Sequence, residues 1–225
     1  SRLDPKALNI MTVEDPIEYD LDGINQTQTN SRVDMSFARA LRTILRQDPD
    51  VIMIGEIRDL ESAQIAIQAS LTGHLVLTTL HTNDAVSAVT RLVDMGVEPF
   101  LLASSLIGIG AQRLVRKLCV ECRAPLAADA VQLRSLGLAS APGNFHAAVG
   151  CPACNRSGYK GRTGIYEWLT VDDELRRLIH DRVDEQTLRE HAGAHGMGSL
   201  RDDGMRLAAE GTVSLEEVLR VTRER

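Results

Sequence analysis

Asn9-Ile-Met-Thr-Val-Glu-Asp15, Val51-Ile-Met-Ile-Gly-Glu56 and Leu75-Val-Leu-Thr-Thr-Leu-His81 decide the fold. Each run is short, apolar and rich in Val, Ile, Leu or Thr, which is the composition of a strand buried in a parallel sheet. In an open α/β sheet, ligands bind outside the carboxyl ends of the strands. Here those ends carry Glu14 and Asp15, then Glu56, then His81. Carboxylates and a histidine suit phosphate chemistry, so a nucleotide site is expected there.

Outward from these runs the pattern alternates. Gly23 to Asp34 is polar and reads as a loop or short hairpin. Ser36 caps a helix whose apolar face uses Phe37, Leu41, Ile44 and Leu45, and Asp48-Pro49-Asp50 stops it. A second helix runs from about Leu60 to Thr72, with Gly73 as its C-cap. Asn83 or Asp84 caps the next. Strands and helices in alternation imply right-handed parallel crossovers. Pro99 to Lys117 reads as helical, with Gly108 and Gly110 as its weak points. Val131-Gln-Leu-Arg-Ser-Leu suggests a further helix, and Gly164-Ile-Tyr-Glu-Trp-Leu169 a strand. Four helices are expected after it: Glu174–Asp181, Glu185–His195, Leu200–Glu210 and Leu215–Thr222. The last carries Ser214 as N-cap and Glu217 at its third position, a capping box.

At 225 residues the chain has room for one large domain or two small ones. Apolar content of 44% and charged content of 25% are those of an ordinary globular protein. A net charge of −6 argues against a general nucleic-acid binder. No apolar stretch reaches the roughly 20 residues that span a bilayer, and the first residues hold no signal-peptide core. The expectation is a cytoplasmic chain with no direct membrane insertion. Aromatics are only 3%, so aliphatic side chains must fill the core. The chain opens on Ser1 and almost at once enters a strand, where a parallel sheet usually has an earlier strand and crossover helix. It is therefore read as a fragment.

All four cysteines fall in two C-x-x-C pairs, Cys119/Cys122 and Cys151/Cys154, with 28 residues between the pairs. Two such knuckles offer four thiolates to a closed, structural Zn²⁺ site. Two disulfides or a thioredoxin-like redox pair are the other readings. A cytoplasmic setting disfavours the first, and two pairs with no cysteine left over disfavour the second.

Taken singly, each polar strand end has a plain explanation: a turn at Glu14-Asp15-Pro16, a surface ion pair between Glu56 and Arg58, a surface His81. Three in succession are harder to dismiss. Thr12-Val-Glu-Asp-Pro-Ile-Glu-Tyr19 resembles the aspartate box of the secretion and type IV pilus ATPases. Leu45-Arg-Gln-Asp-Pro-Asp-Val-Ile-Met-Ile-Gly-Glu-Ile-Arg-Asp59 resembles their Walker B segment, and Thr72-Gly-His-Leu-Val-Leu-Thr-Thr-Leu-His-Thr-Asn83 their histidine box. The tetracysteine stretch followed by Gly158-Tyr-Lys-Gly-Arg-Thr-Gly-Ile-Tyr-Glu167 is similar to that of the secretion and pilus-assembly branches. Ser199-Leu-Arg-Asp-Asp-Gly204 and Leu215-Glu-Glu-Val-Leu-Arg-Val-Thr-Arg-Glu224 look most like the type II secretion branch.

The resemblance covers essentially the whole chain and implies an α/β fold. It would be a partial RecA-like P-loop NTPase core with an inserted zinc module and a C-terminal helical bundle. Its expected divisions are residues 1–116 for the core, 117–158 for the zinc insertion, 159–171 for a strand returning to the core sheet and 172–225 for the bundle. The implied protein is a homo-hexameric cytoplasmic motor using ATP and Mg²⁺, held at the inner membrane through secretion-platform partners. The family's phosphate loop, G-x-x-x-x-G-K-[ST], does not occur in these 225 residues. That loop grips the β and γ phosphates, so this polypeptide alone is expected neither to bind ATP tightly nor to hydrolyse it.

The catalytic set implied is Glu14, Glu56 and His81. Glu14 would orient and deprotonate water, Glu56 would hold hydrated Mg²⁺, and His81 would reach the γ phosphate. Gly55 stands where many Walker B strands carry an aspartate, so the two glutamates' roles are exchangeable at this point. The nucleotide-binding set implied is Asp15, Glu56, His74, Arg58 and Arg113. His74 would shape the strand start or a subunit contact. Arg58 and Arg113 would reach across a subunit boundary or form salt bridges within the domain. Two rival readings stay open, a pilus-assembly ATPase and a non-enzymatic zinc-stabilised adaptor.

Overall fold

The computed structural model describes residues 3–126 and 144–223. The chain divides into two compact units, Ser1–Ile107 with Val171–Glu190, and Gly108–Thr170 with His191–Arg225. The helix expected at Val131–Leu136 lies outside the described residues.

In the first unit, β1 (Ile10–Glu14), β2 (Asn25–Gln28), β3 (Val51–Ile54) and β4 (Leu75–Thr78) form a parallel sheet in the order β2-β1-β3-β4. The three apolar runs are its strands. Val13, Ile52 and Ile54 are buried, as strands covered on both faces require, whereas β4, last in the sheet order, is not, with Leu77 44% exposed. The segment expected to be a loop or hairpin instead contains β2, parallel to β1 with Thr12 opposite Gln26. A polar Asn-Gln-Thr-Gln run can serve because β2 is an edge strand, where backbone pairing to one neighbour suffices and side chains meet water.

Helices α1 (Phe37–Ile44), α2 (Leu60–Leu71), α3 (Ala85–Asp94), α4 (Pro99–Ser105) and α5 (Asp173–His180) complete this unit. Their starts follow local rules. Ser36 Oγ accepts from the Arg39 amide, and Asp84 Oδ1 accepts from the Ser87 amide at 2.8 Å, so Asp84 rather than Asn83 is the cap. Arg176 of α5 donates to the Ala103 carbonyl in α4 at 2.7 Å, tying the two helices together.

In the second unit, β5 (Gly108–Leu118) and β8 (Tyr159–Thr170) form a long antiparallel ribbon. Two corrections follow. Residues from Gly108 onward are strand rather than helix, and the strand around Gly164–Leu169 pairs with β5 instead of joining the parallel sheet. The reason is steric and long-range. Gly108 and Gly110 lie beneath the Trp168 ring, where an added Cβ would come within 2.9 and 3.0 Å of it. Those glycines are therefore sites of close approach rather than helix weak points.

Short strands β6 (Ala124–Pro125) and β7 (His146–Ala147) pair beside the cysteines. After α6 (Glu185–Ala194), within which the chain passes from one unit to the other, α7 (Leu200–Ala209) and α8 (Leu215–Thr222) belong to the second unit. The expected single bundle of residues 172–225 is thus shared between the units. Val115, Ile165, Leu207, Val213, Leu215 and Val218 form the second unit's core.

Glu217 shows where a local rule yields to tertiary structure. Its amide donates to Ser214 Oγ, so the N-cap forms as expected. Its carboxylate does not return to the cap. Fully buried, it accepts from Arg116 Nε and Nη2 at 3.0 and 2.6 Å, from the Arg116 amide at 2.9 Å, and from Arg220 at 2.8 and 2.6 Å. Arg116 also lies over the Tyr159 ring, 4.0 Å from its centre. Burial pushes the Glu217 carboxyl up, but the hydrogen bonds from Arg220 and Arg116 outweigh it and hold it at about 2.

A carboxyl depressed on folding contributes stability above its unfolded value and loses it as pH falls through the folded value. The second unit should therefore weaken as pH drops from the ordinary glutamate value of 4.5 towards about 2. Glu217→Ala should cost roughly 3 kcal/mol at neutral pH, the low end for breaking a buried pair because both arginines can rehydrate. It should also abolish that acid slope. Trp168 is the one tryptophan and lies in this unit, so urea unfolding followed by its fluorescence measures both. An unchanged midpoint would overturn the assignment.

Candidate active site

β1, β3 and β4 run parallel in adjacent positions, so their carboxyl ends face one side of the sheet. Glu14 ends β1, Glu56 follows β3 by two residues, and His81 follows β4 by three. A Cβ at Gly55 would lie 3.2 Å from the Val13 carbonyl oxygen and 3.4 Å from Glu14 Cα. The chain after β3 therefore passes against β1 at the level of Glu14. This close approach is a physical reason for glycine where an aspartate is common elsewhere. The Gly55 amide donates to the Val13 carbonyl at 2.7 Å, and Thr79 Oγ1 donates to the Gly55 carbonyl at 2.5 Å. The three ends are thus stitched together.

Glu56 is the hub. Its side chain is 13% exposed and its Oε2 lies 3.0 Å from His81 Nε2, while Oε1 pairs with Arg58. The Arg58 hydrogen bond chiefly holds its carboxyl below the usual range, against burial and with help from His81. Arg58 is raised in turn by Glu56, and Asp15 adds to the effect through its charge. Glu56 is therefore an ionised, oriented carboxylate, the kind of oxygen ligand a hydrated Mg²⁺ takes.

Glu14 is held differently. Its Oε1 accepts from Thr12 Oγ1 at 2.5 Å and from Gln26 Nε2 at 2.8 Å. Among the described residues Oε2 accepts from none, which leaves one oxygen available to a water. Neither Thr12 nor Gln26 was picked out from the sequence. Thr12 was legible, since residues two apart on a strand share a face. Gln26 was not, because its role depends on the β1–β2 register.

The other expected residues are dispersed. His74 stands at the start of β4, the opposite end from His81. Its Nδ1 is 2.8 Å from the Ala69 carbonyl and 3.2 Å from Thr72 Oγ1, so the ring closes the α2–β4 turn. Arg113 lies on β5 in the second unit.

The cysteines converge in the second unit. Cys119 and Cys151 sulfurs are 3.9 Å apart, Cys122 and Cys154 3.8 Å, and Cys151 and Cys154 3.8 Å. All four lie within 4.8 Å of one another. A tetrahedron with Zn–S bonds of about 2.3 Å has edges of about 3.8 Å, so the thiol set fits zinc. A disulfide needs about 2.05 Å, and none is formed. Amides of Gly150, Cys151 and Gly158 donate to the Cys122 and Cys154 sulfurs at 3.2–3.3 Å. Burial pushes the Cys122 thiol up to about 12, and the Cys151 amide chiefly draws Cys154 down to about 6. Gly158 adopts φ +77°, and a Cβ there would strike Ala148 at 2.6 Å. No helix among the described residues is long and apolar enough to cross a membrane.

Comparison with known proteins agrees with this arrangement. A family model described as type II/IV secretion system protein matches residues 1–220. The chain is 64% identical over 224 residues to the type II secretion system protein HxcR of Pseudomonas aeruginosa, spanning all of this chain and 44% of that one. It is 60% identical over 223 residues to the type II secretion system ATPase E of Vibrio cholerae, spanning 99% of this chain and 44% of the relative. The chain thus covers less than half the length of these relatives. Among solved structures it is similar to the pilus retraction motor PilT with bound ADP, at a TM-score of 0.68 and 30% identity over 96% of this chain and 53% of that one. The Legionella pneumophila ATPase DotB shares the fold at a TM-score of 0.67 and 21% identity, over 96% of this chain and 54% of that one. With its strand-end carboxylates, its tetracysteine cluster and a family match over almost its whole length, the chain belongs to the type II/IV secretion system proteins.

Proposed function

We propose that this chain is the RecA-like part of a motor that hydrolyses ATP to drive type II protein secretion. The observation that carries the reading is the convergence of Glu14, Glu56 and His81 at neighbouring strand ends, in a chain whose relatives bear secretion-ATPase names. Glu14 orients and deprotonates the attacking water through its open Oε2, with Thr12 and Gln26 fixing the carboxylate. Glu56 would hold the Mg²⁺ that travels with ATP, which would supply charge neutralisation on the phosphate oxygens. His81 and Arg58 hold Glu56 in place, and His81, mostly exposed, would serve the γ phosphate when nucleotide is bound.

This division of roles is favoured over its exchange because Arg58 and His81 hold the Glu56 carboxyl below the usual range, which makes it the poorer base, while Glu14 has an acceptor oxygen to spare. Asp15 and Arg58 border the nucleotide, and His74 and Arg113 serve subunit contacts. The assembly is a cytoplasmic homo-hexamer docked on inner-membrane secretion proteins. Residues 117–158 form its zinc module, with a structural task.

The phosphate loop supplies the main grip on ATP, and these 225 residues contain none. The purified, zinc-loaded chain should therefore release no phosphate from ATP above background, while the full-length protein turns over. Steady-state phosphate release from both decides it. Robust turnover by the 225-residue chain, or none by the full-length protein, would sink the proposal.

A further inference from the structure

The β5–β8 ribbon has one face in the core and one in water. Ile165, Glu167 and Leu169 point inward and are buried, whereas Tyr166 is 56% exposed, Trp168 64% and Leu114 51%. Gly110 stands opposite Trp168, and Gly164 opposite Leu114. Trp168 lies flat over Gly108 and Gly110, and Tyr166 lies across Gly164. Rings bedded on glycine form a smooth apolar slab. Large exposed aromatics beside arginine are the composition of interface hot spots.

The ribbon's charge is one-sided. Its two strands carry Arg113, Arg116, Lys117, Lys160 and Arg162 against Glu167 alone, which is buried, in a chain whose net charge is −6; Arg113, opposite Ile165, lies on the inward face, and Lys160 meets Glu121 at 4.0 Å. Arg116 and Arg162 stand directly opposite each other, a like-charge pairing that costs stability. Glu217 neutralises Arg116. Arg162 is exposed and has no ion-pair partner among the described residues.

The first unit holds a surface of opposite character. Between β1 and β2 the chain reads Asp15-Pro-Ile-Glu-Tyr-Asp-Leu-Asp22, four acids and no base. Tyr19 is 78% exposed and Leu21 45%. Glu18, Asp20 and Asp22 are exposed and have no ion pair among the described residues. The loop is nonetheless fixed. Gln26 accepts from the Leu21 amide at 2.8 Å and donates to the Tyr19 carbonyl at 3.0 Å, and the Ile17 amide donates to Gln28. Its backbone is ordered from within while its acidic and apolar side chains face water.

We infer that the acidic Tyr19–Leu21 loop of one copy docks on the basic aromatic ribbon of a second copy, Asp20 and Asp22 facing Arg162 and Tyr19 or Leu21 meeting Trp168. Sign and apolar content match on both sides, and the loop's backbone is already hydrogen-bonded, so little of it has to be ordered on contact. Two different patches of the same chain make the contact heterologous, which propagates head to tail and closes into a ring when the rotation allows. The inference names the surfaces for the self-assembly proposed above and rests on that reading only for its ring form.

The test is a charge swap in the zinc-loaded chain, read by sedimentation velocity at low ionic strength, with far-UV circular dichroism and zinc content checking each variant's fold. Wild type should self-associate with concentration and dissociate in about 0.5 M salt, where screening is strong. Arg162→Glu alone and Asp20→Lys/Asp22→Lys alone should each associate at least tenfold more weakly. An equimolar mixture of the two variants should associate again, because an acidic ribbon then meets a basic loop. A wild type that stays monomeric, an Arg162→Glu chain that associates normally, or a mixture that stays monomeric overturns the interface. None of these results bears on ATP turnover by the full-length protein, so the two proposals fail separately.

Discussion

Glu14→Gln in the full-length protein is expected to leave ATP binding within about twofold of wild type while lowering kcat by about 10²–10⁴, the range for losing a general base. The substitution is nearly isosteric. Thr12 and Gln26 donate to Oε1, and an amide oxygen at that position accepts both bonds, so the local packing survives. What changes is the second oxygen, which becomes an NH₂ group that cannot take a proton from water. The prediction separates the two glutamates. Glu56→Gln removes the anion that Arg58 and His81 share and should disturb Mg²⁺-dependent nucleotide binding as well as turnover. Measured ATP affinity and single-turnover rates distinguish them. Equal loss of binding and hydrolysis in Glu14→Gln would count against a base at that position.

Cys151→Ser is expected to have the largest structural effect. Structural zinc contributes roughly 10–16 kcal/mol of apparent binding free energy. A quarter share, about 3 kcal/mol, corresponds to roughly a hundredfold weaker binding. The loss should exceed that, because Cys151 is within 3.9 Å of both Cys119 and Cys154 sulfurs and its amide holds the Cys154 sulfur. The variant should purify with well under one zinc per chain. Its Trp168 fluorescence transition should fall by about 10 °C or more, as about 3 kcal/mol implies for a unit of this size. Chelator treatment of the wild type should produce the same shift, and restored zinc should reverse it. One tightly held zinc per chain in Cys151→Ser would refute the ligand assignment.

What was legible beforehand was local. Three apolar runs became β1, β3 and β4 because short Val/Ile/Leu stretches bounded by polar turns favour strands; β1 and β3 are buried, whereas β4 ends the sheet with Leu77 exposed. Ser36, Asp84 and Ser214 became helix caps because a cap depends on residues only three apart. Each C-x-x-C knuckle curls around one point because of its own spacing, while strand pairing brings the two knuckles together. Misreadings arose where the deciding partner was distant. Gly108 to Leu118 pairs with a strand some 50 residues later, and its glycines make sense only beneath Trp168. Asn25–Gln28 carries no apolar signal, since its strand character comes from β1 beside it.

The site divides the same way. The residue types at the strand ends, the thiolate spacing and the family they mark were determined by sequence alone, because each is a property of neighbours along the chain. Only the tertiary structure decided which atoms are engaged. It set Glu56 between Arg58 and His81, gave Glu14 one occupied and one open oxygen, and took Glu217 from its own helix start to arginines on another strand and the next turn. A hydrogen bond is directional and short-ranged. Its partner is therefore chosen by sheet register and packing, which join residues as far as 105 positions apart and leave no trace in local sequence.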